Sequence, residues 1–127
     1  MKNYAIKEHH LYNKAFRRGT RYVTKTVAVY VLRDYAAKKL MLANPEKKYL
    51  NRVGLSVGKR LGGAVVRNRA KRLLREAYRA VKTTAGLKTG YLVVLAARDD
   101  IRGKKANDVT KDLVRAFRAL GMTEDKP

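Results

Sequence analysis

Val65-Val66-Arg67-Asn68-Arg69-Ala70-Lys71-Arg72-Leu73-Leu74-Arg75-Glu76-Ala77-Tyr78-Arg79-Ala80-Val81-Lys82 is the stretch whose periodicity decides the fold. At about 100° per residue, Val66, Ala70, Leu73, Leu74, Ala77 and Val81 fall on one stripe, which predicts an amphipathic helix. Arg67, Asn68, Lys71, Arg75, Arg79 and Lys82 gather opposite that stripe, and Arg69 and Arg72 flank them close to Glu76. A helix with a single apolar side requires another layer to cover it.

The flanking sequence supplies that layer. Thr83 to Thr89, with Gly86, reads as an exit loop, and Tyr91 to Ala97 is a continuous apolar run expected of a strand covered on both faces. Asn107 is placed to cap a final helix whose inner side is Val109, Leu113, Val114, Phe117 and Leu120. Gly121 ends that helix, so residues 1–121 form one domain and Met122 to Pro127 a disordered tail. Upstream, Arg52 to Val57 alternates Val53, Leu55 and Val57 on one face, as a half-buried strand does.

Tyr35 to Asn51 reads as a loop or extended hairpin connection, with a helical turn open over Ala36 to Ala43 and a turn at Asn44-Pro45. Thr26 to Leu32 is a Val-rich strand carrying Tyr30. Leu11, Tyr12, Ala15 and Phe16 sit at helical spacing before Gly19, and Arg21 to Val23 offers an extra short strand. The order is helix, strand, strand, helix, strand, helix. This predicts an α+β domain with its helices packed on one small mixed sheet in two layers.

Charge narrows the function. Lys and Arg total 31 against 10 acids in 127 residues, a formal +21 spread along the whole chain. Such an excess repels itself, so a polyanionic partner offsets it: nucleic acid first, an anionic membrane surface second. The membrane reading is weaker because Ala70 and Ala77 are small and no broad aromatic anchor accompanies them. With no Cys, disulfides and thiolate metal sites are excluded. No apolar run is long enough to span a bilayer and Met1 to His10 lacks a signal-peptide centre, so a cytoplasmic protein is expected.

From Gly58 to Lys82 nine cations (Lys59, Arg60, Arg67, Arg69, Lys71, Arg72, Arg75, Arg79 and Lys82) face one acid, Glu76. A solvated helix face normally mixes signs, whereas Lys71/Arg75 and Arg75/Arg79 repel at i,i+4. Arginine forks grip phosphate oxygens in pairs, and Asn68 offers donors and an acceptor to a base edge or 2′-hydroxyl. Gly62 and Gly63 permit close backbone approach ahead of the helix. Protein-based catalysis has little to stand on. His9 and His10 are adjacent, Asp99-Asp100 suits a turn or cap, and no phosphate-binding glycine loop exists, so no catalytic residue is expected. A structural ribosomal protein and a DNA-binding module reading through Val65 to Lys82 remain alternatives.

The run Arg67-Asn68-Arg69, then Lys71-Arg72 and Arg75-Glu76, resembles the arginine-rich signature of the bacterial ribonuclease P protein family. Gly54-Leu55-Ser56-Val57 and Ala64-Val65 match the same pattern at the same spacing, and the resemblance extends from about Leu11 to Leu120. Three places depart from it: Gly58 stands before Lys59-Arg60 where serine is usual, the connection from Leu32 to Arg52 is longer, and Gly90-Tyr91 replaces an aspartate before the last strand.

The resemblance implies a ribosomal-protein-like α+β fold with a left-handed crossover, and a role in removing the 5′ leader of precursor tRNA. The partners implied are the catalytic RNA subunit and precursor tRNA, with no membrane and no protein partner. Chemistry would belong to the RNA, and Mg2+, required by the holoenzyme, would be bound mainly by RNA. Lys59, Arg60, Arg67, Asn68, Arg69, Lys71, Arg72, Arg75 and Arg79 would contact RNA. Tyr12, Phe16 and Tyr30 read by themselves as ordinary core or boundary aromatics; the resemblance makes them the lining of a leader-binding cleft, where bases stack with little sequence preference.

Overall fold

The computed structural model describes residues 4–6, 9–34 and 51–124. In chain order these form β1 (Tyr4–Ala5), α1 (His9–Arg18), β2 (Thr20–Val23), β3 (Val27–Arg33), β4 (Arg52–Ser56), α2 (Ala64–Thr84), β5 (Tyr91–Ala97) and α3 (Ala106–Ala119). Single 3-10 turns, Lys59–Leu61 and Asp99–Ile101, precede α2 and α3. The strands make one five-stranded sheet in the order β1-β4-β5-β3-β2. β4 runs parallel to both β1 and β5, while β3 is antiparallel to β5 and β2. The short strand expected near Arg21 is thus β2; β1 carried no signal in a two-residue stretch.

Alternate residues of β5 point to opposite sides of the sheet, and the two sides have different covers. Val93 and Leu95 join Val27, Val29 and Val31 beneath α2 and α3, whose Leu74, Ala77, Val81, Leu113 and Phe117 complete the large core. Leu92 and Val94 face the other way, onto Ile6 and onto Leu11 and Ala15 of α1. The α+β class stands, but the helices do not gather on one face as the two-layer reading expected. The apolar run of β5 has two sides to bury, and α1 alone takes the second.

Local differences from the sequence reading have local causes. The buried stripe of α2 starts at Ala70, and Val66 and Val65 are 37% and 83% exposed, because the first helical turn stands clear of the core. Tyr78, four residues beyond Leu74, completes the stripe and meets Phe117 edge-on at a ring separation of 6.0 Å. Thr83 and Thr84 continue the helix rather than the exit loop. Asn107 is not the cap of α3. The helix starts at Ala106, and the Asp108 carboxylate accepts the Lys105 N–H at 2.9 Å, closing the first turn from within. On its inner side Ala116 is buried while Val114 and Leu120 are half-buried.

Met122 is packed into the fold and does not open a tail. That side chain is 2% exposed, its N–H donates to the Phe117 carbonyl at 2.8 Å, and its carbonyl accepts the Lys88 N–H at 2.7 Å. Thr123 bridges Leu87, so residues 122–124 close the large core between the ends of α2 and α3. Residues 125–127 lie outside the described residues, as does the connection over 35–50.

Buried polar groups hold both chain ends that border that connection. Arg52 donates from Nε and Nη2 to the two Asp34 oxygens at 2.6 and 2.8 Å, spanning β5. The Asn51 amide donates to Tyr78 Oη at 3.2 Å and the Lys88 carbonyl at 2.9 Å, and it accepts the Tyr91 N–H at 3.0 Å. A buried polar group left unpaired would cost about 1–3 kcal/mol, so this network fixes how β4, β5 and α2 sit together.

Candidate nucleic-acid interface

The outward side of α2 carries cations for more than three turns. Asn68, Arg72, Arg75 and Arg79 are exposed, while Arg67, Lys71 and Lys82 lie half-buried along one flank. The two flanks are told apart by their bonds. Tyr78, on the Arg67 and Lys71 flank, meets Asn51 at the start of β4; Arg69, on the other, donates to the Lys104 carbonyl at 2.7 Å ahead of α3. The Arg67–Lys71 flank therefore looks past β4 toward the β1 edge of the sheet, away from α3.

Little anionic charge opposes this face. Arg72 approaches Glu76 only to 3.9 Å, and Arg60 reaches Asp99 at 3.3 Å in a solvent-exposed pair. Exposed pairs of this kind contribute about 0–1 kcal/mol and leave the cations available. Burial, and then the neighbouring Arg79 charge, pulls the Lys82 ammonium below its ordinary pKa. Arg67 Nε is enclosed and has no hydrogen-bond partner. Lys59 and Arg60 extend the surface from the 3-10 turn, and Gly63 at the N-cap supplies no side chain to the first-turn amides. That helix end adds its positive dipole to the same surface. Of the nine residues expected to contact RNA, Arg67, Asn68, Arg69, Lys71, Arg72, Arg75 and Arg79 lie on α2, with Arg69 bonded to the Lys104 carbonyl, and Lys59 and Arg60 lie on the turn before it.

A second surface lies on the reverse side of the sheet. Phe16 of α1 and Tyr30 of β3 meet edge-on, with centroids 4.8 Å apart and planes at 87°. Phe16 is 38% exposed, and Tyr30 and Tyr12 are half-buried against the small core, so the three expected aromatics do share one side. Tyr12 lies flat over Gly54: a Cβ there would come within 2.6 Å of its ring, so only glycine admits this contact.

Beyond the rings the sheet floor is made of small residues. Register sets Ala96 of β5 between Ala28 of β3 and Ser56 of β4, all on the α1 side, with Ala96 and Ser56 half-buried and Ala28 buried. Arg21 faces Tyr30 across β2 and β3, adding a cation to the groove wall. Sequence reasoning missed Ala28, Ser56, Gly54 and Ala96; only Gly54 and Ser56, two apart in β4, form a local pattern, whereas Ala28 and Ala96 are single small residues whose meeting depends on register. At the carboxyl ends of β4 and β5 lies a depression of about 500 Å³ lined by Lys25, Arg60, Arg98 and Asp100 among others.

A family model described as Ribonuclease P matches residues 1–121, a span holding both surfaces. The chain belongs to the ribonuclease P protein family. It is 30% identical over 122 residues to the ribonuclease P protein component of Clostridium acetobutylicum, covering 96% of this chain and 92% of that one. In fold it resembles the RNase P protein of Staphylococcus aureus, with a TM-score of 0.70, 23% identity and 95% and 98% of the two chains covered. The RNase P protein of Thermotoga maritima superposes with a TM-score of 0.66 at 19% identity, covering 87% and 92%.

Among the described residues of this ribonuclease P family member, no three His, Asp or Glu side chains converge to hold a metal ion. Asp99 and Asp100 lie in the 3-10 turn before α3, and His9 and His10 are exposed at the start of α1. The described residues therefore assemble no carboxylate set of the kind that holds Mg2+. No described helix is long and apolar enough to cross a membrane.

Proposed function

We propose that this chain is the protein subunit of ribonuclease P, gripping the catalytic RNA with the α2 ridge and the precursor 5′ leader with the aromatic groove. One observation carries the reading: a dense arginine ridge and a ring-lined groove occupy separate sides of a single rigid sheet. A body with two such surfaces contacts enzyme RNA and substrate together, and by linkage it tightens their complex.

The residues divide the work. Arg67, Lys71, Arg75 and Arg79 neutralise phosphates of folded RNA, giving affinity that falls steeply with salt. Asn68, exposed among them, hydrogen-bonds a 2′-hydroxyl or base edge. Phe16 and Tyr30 present ring surface to unpaired bases, and the floor of Ala28, Ser56 and Ala96 admits the strand without selecting its sequence. That suits a leader that differs from one tRNA to another. Hydrolysis and the Mg2+ it requires belong to the RNA, and the protein contributes binding and orientation in the cytoplasm.

The test is reconstitution with a bacterial ribonuclease P RNA and precursor tRNA. The chain alone should be inactive, and adding it should restore cleavage at a magnesium concentration where the RNA alone is slow. Arg67→Ala or Arg75→Ala should weaken RNA binding and reduce the salt slope by about 0.7–0.9 each, with melting unchanged. No restoration at low magnesium would refute the assignment.

A further inference from the structure

The geometry points to a second RNA-backbone contact on the outer face of α3, separate from the α2 ridge. This rests on the function proposed above and extends it. α3 buries Val109, Leu113, Ala116 and Phe117, which turns Asn107, Lys111, Arg115 and Arg118 to the outside, with half-buried Val114 at the boundary. These residues and Thr110 line a shallow groove of about 500 Å³.

Both carboxylates of α3 accept hydrogen bonds from within the fold. Asp108 accepts the Lys105 backbone N–H, and Asp112 accepts the Thr26 hydroxyl at 2.6 Å, on the sheet side. Both acids are used within the fold while Lys111 and Arg115, four residues apart, remain exposed. Like charges at that spacing repel unless an anion lies across them. The helix dipole accounts for cations in the last turn, where Arg118 sits, but not for Lys111 in the middle.

The groove's form favours a sugar–phosphate strand over an acidic protein segment. Val114 and the alkyl stems of the lining cations offer apolar surface suited to ribose beside the charged groups that would meet phosphate. Asn107 and Thr110 stand at one end with groups able to bond a 2′-hydroxyl. α3 lies over β3 and β2, on the far side of α2 from the flank of Arg67 and Lys71. One stretch of backbone does not lie on both, so the second contact takes another segment of the same folded RNA.

The experiment compares full-length chains binding a bacterial ribonuclease P RNA across a series of salt concentrations. Lys111→Ala with Arg115→Ala should weaken binding and lower the salt slope by about 1.5, two phosphates' worth. Lys111→Gln with Arg115→Gln should do the same, and both should melt as the parent does, since neither side chain enters the core. Lys111→Arg with Arg115→Lys should keep the parent slope. Unchanged affinity and slope in both charge-removing pairs, beside a loss in Arg75→Ala, would overturn this contact and leave the proposed function standing. Indifference of Arg75→Ala as well would bring down both.

Discussion

The two faces of the sheet are built from the same strands and finished differently. Beneath α2 and α3 the core is closed: Val29, Val93, Leu95, Leu113 and Phe117 are wholly buried. On the other face α1 covers Leu92 and Val94, then stops, and the aromatics beside it stay partly in solvent. A closed face excludes water and sets stability, whereas a half-covered one keeps ring surface and small residues accessible to a ligand. The division of labour in this protein follows from how much of each face its helices reach.

The largest expected effect lies on the closed face. Phe117→Ala should cost about 3–5 kcal/mol, a large part of the 5–15 typical of a domain, measured by denaturant unfolding. A loss near 1 kcal/mol would show that this core is loosely packed and break the contrast between the faces.

Next comes alkaline stability at the same face. Burial pushes the Tyr78 hydroxyl up to about 12, against the opposing pull of the Asn51 hydrogen bond. The folded value exceeds the unfolded one near 10, so the contribution is whole below pH 10 and is lost as the pH rises from about 10 to 12. It amounts to about 2–3 kcal/mol at most. Tyr78→Phe should remove that loss from a plot of stability against pH, while Asn51 keeps its bond to the Lys88 carbonyl. A parent and variant that fall in parallel would place the hydroxyl in contact with water.

The smallest effect on folding is expected on the open face. Tyr30→Ala should lower stability by about 1 kcal/mol, mainly through the lost edge-on contact with Phe16. It should weaken binding of precursor with a long leader by about 1–3 kcal/mol and leave mature tRNA nearly unaffected. Equal weakening of both substrates would return Tyr30 to a purely structural role and sharpen the boundary of the groove.

Much of this architecture was legible beforehand, and what escaped shares a cause. The α2 periodicity from Ala70 to Val81 and the doubly apolar β5 are local patterns, written in consecutive residues. Asn107 failed as a cap because Asp108, one residue further on, reaches back to Lys105, and both residue types favour helix starts. Met122 looked like the start of a tail because its burial depends on Leu87 and Lys88, far away in sequence. Of the site, the arginine ridge could be counted from the chain, whereas Gly54 beneath Tyr12 became visible only with α1 laid on the strand.

The sequence by itself determined the charge, the side of α2 that must face solvent and the apolar nature of β5, because each depends on residue type and spacing along one element. Tertiary structure alone decided that α1 crosses to the reverse face, that Ala28, Ser56 and Ala96 align as a floor, and that α2 and α3 present separate basic surfaces. Those outcomes depend on strand order and register, which bring together residues that no local pattern relates.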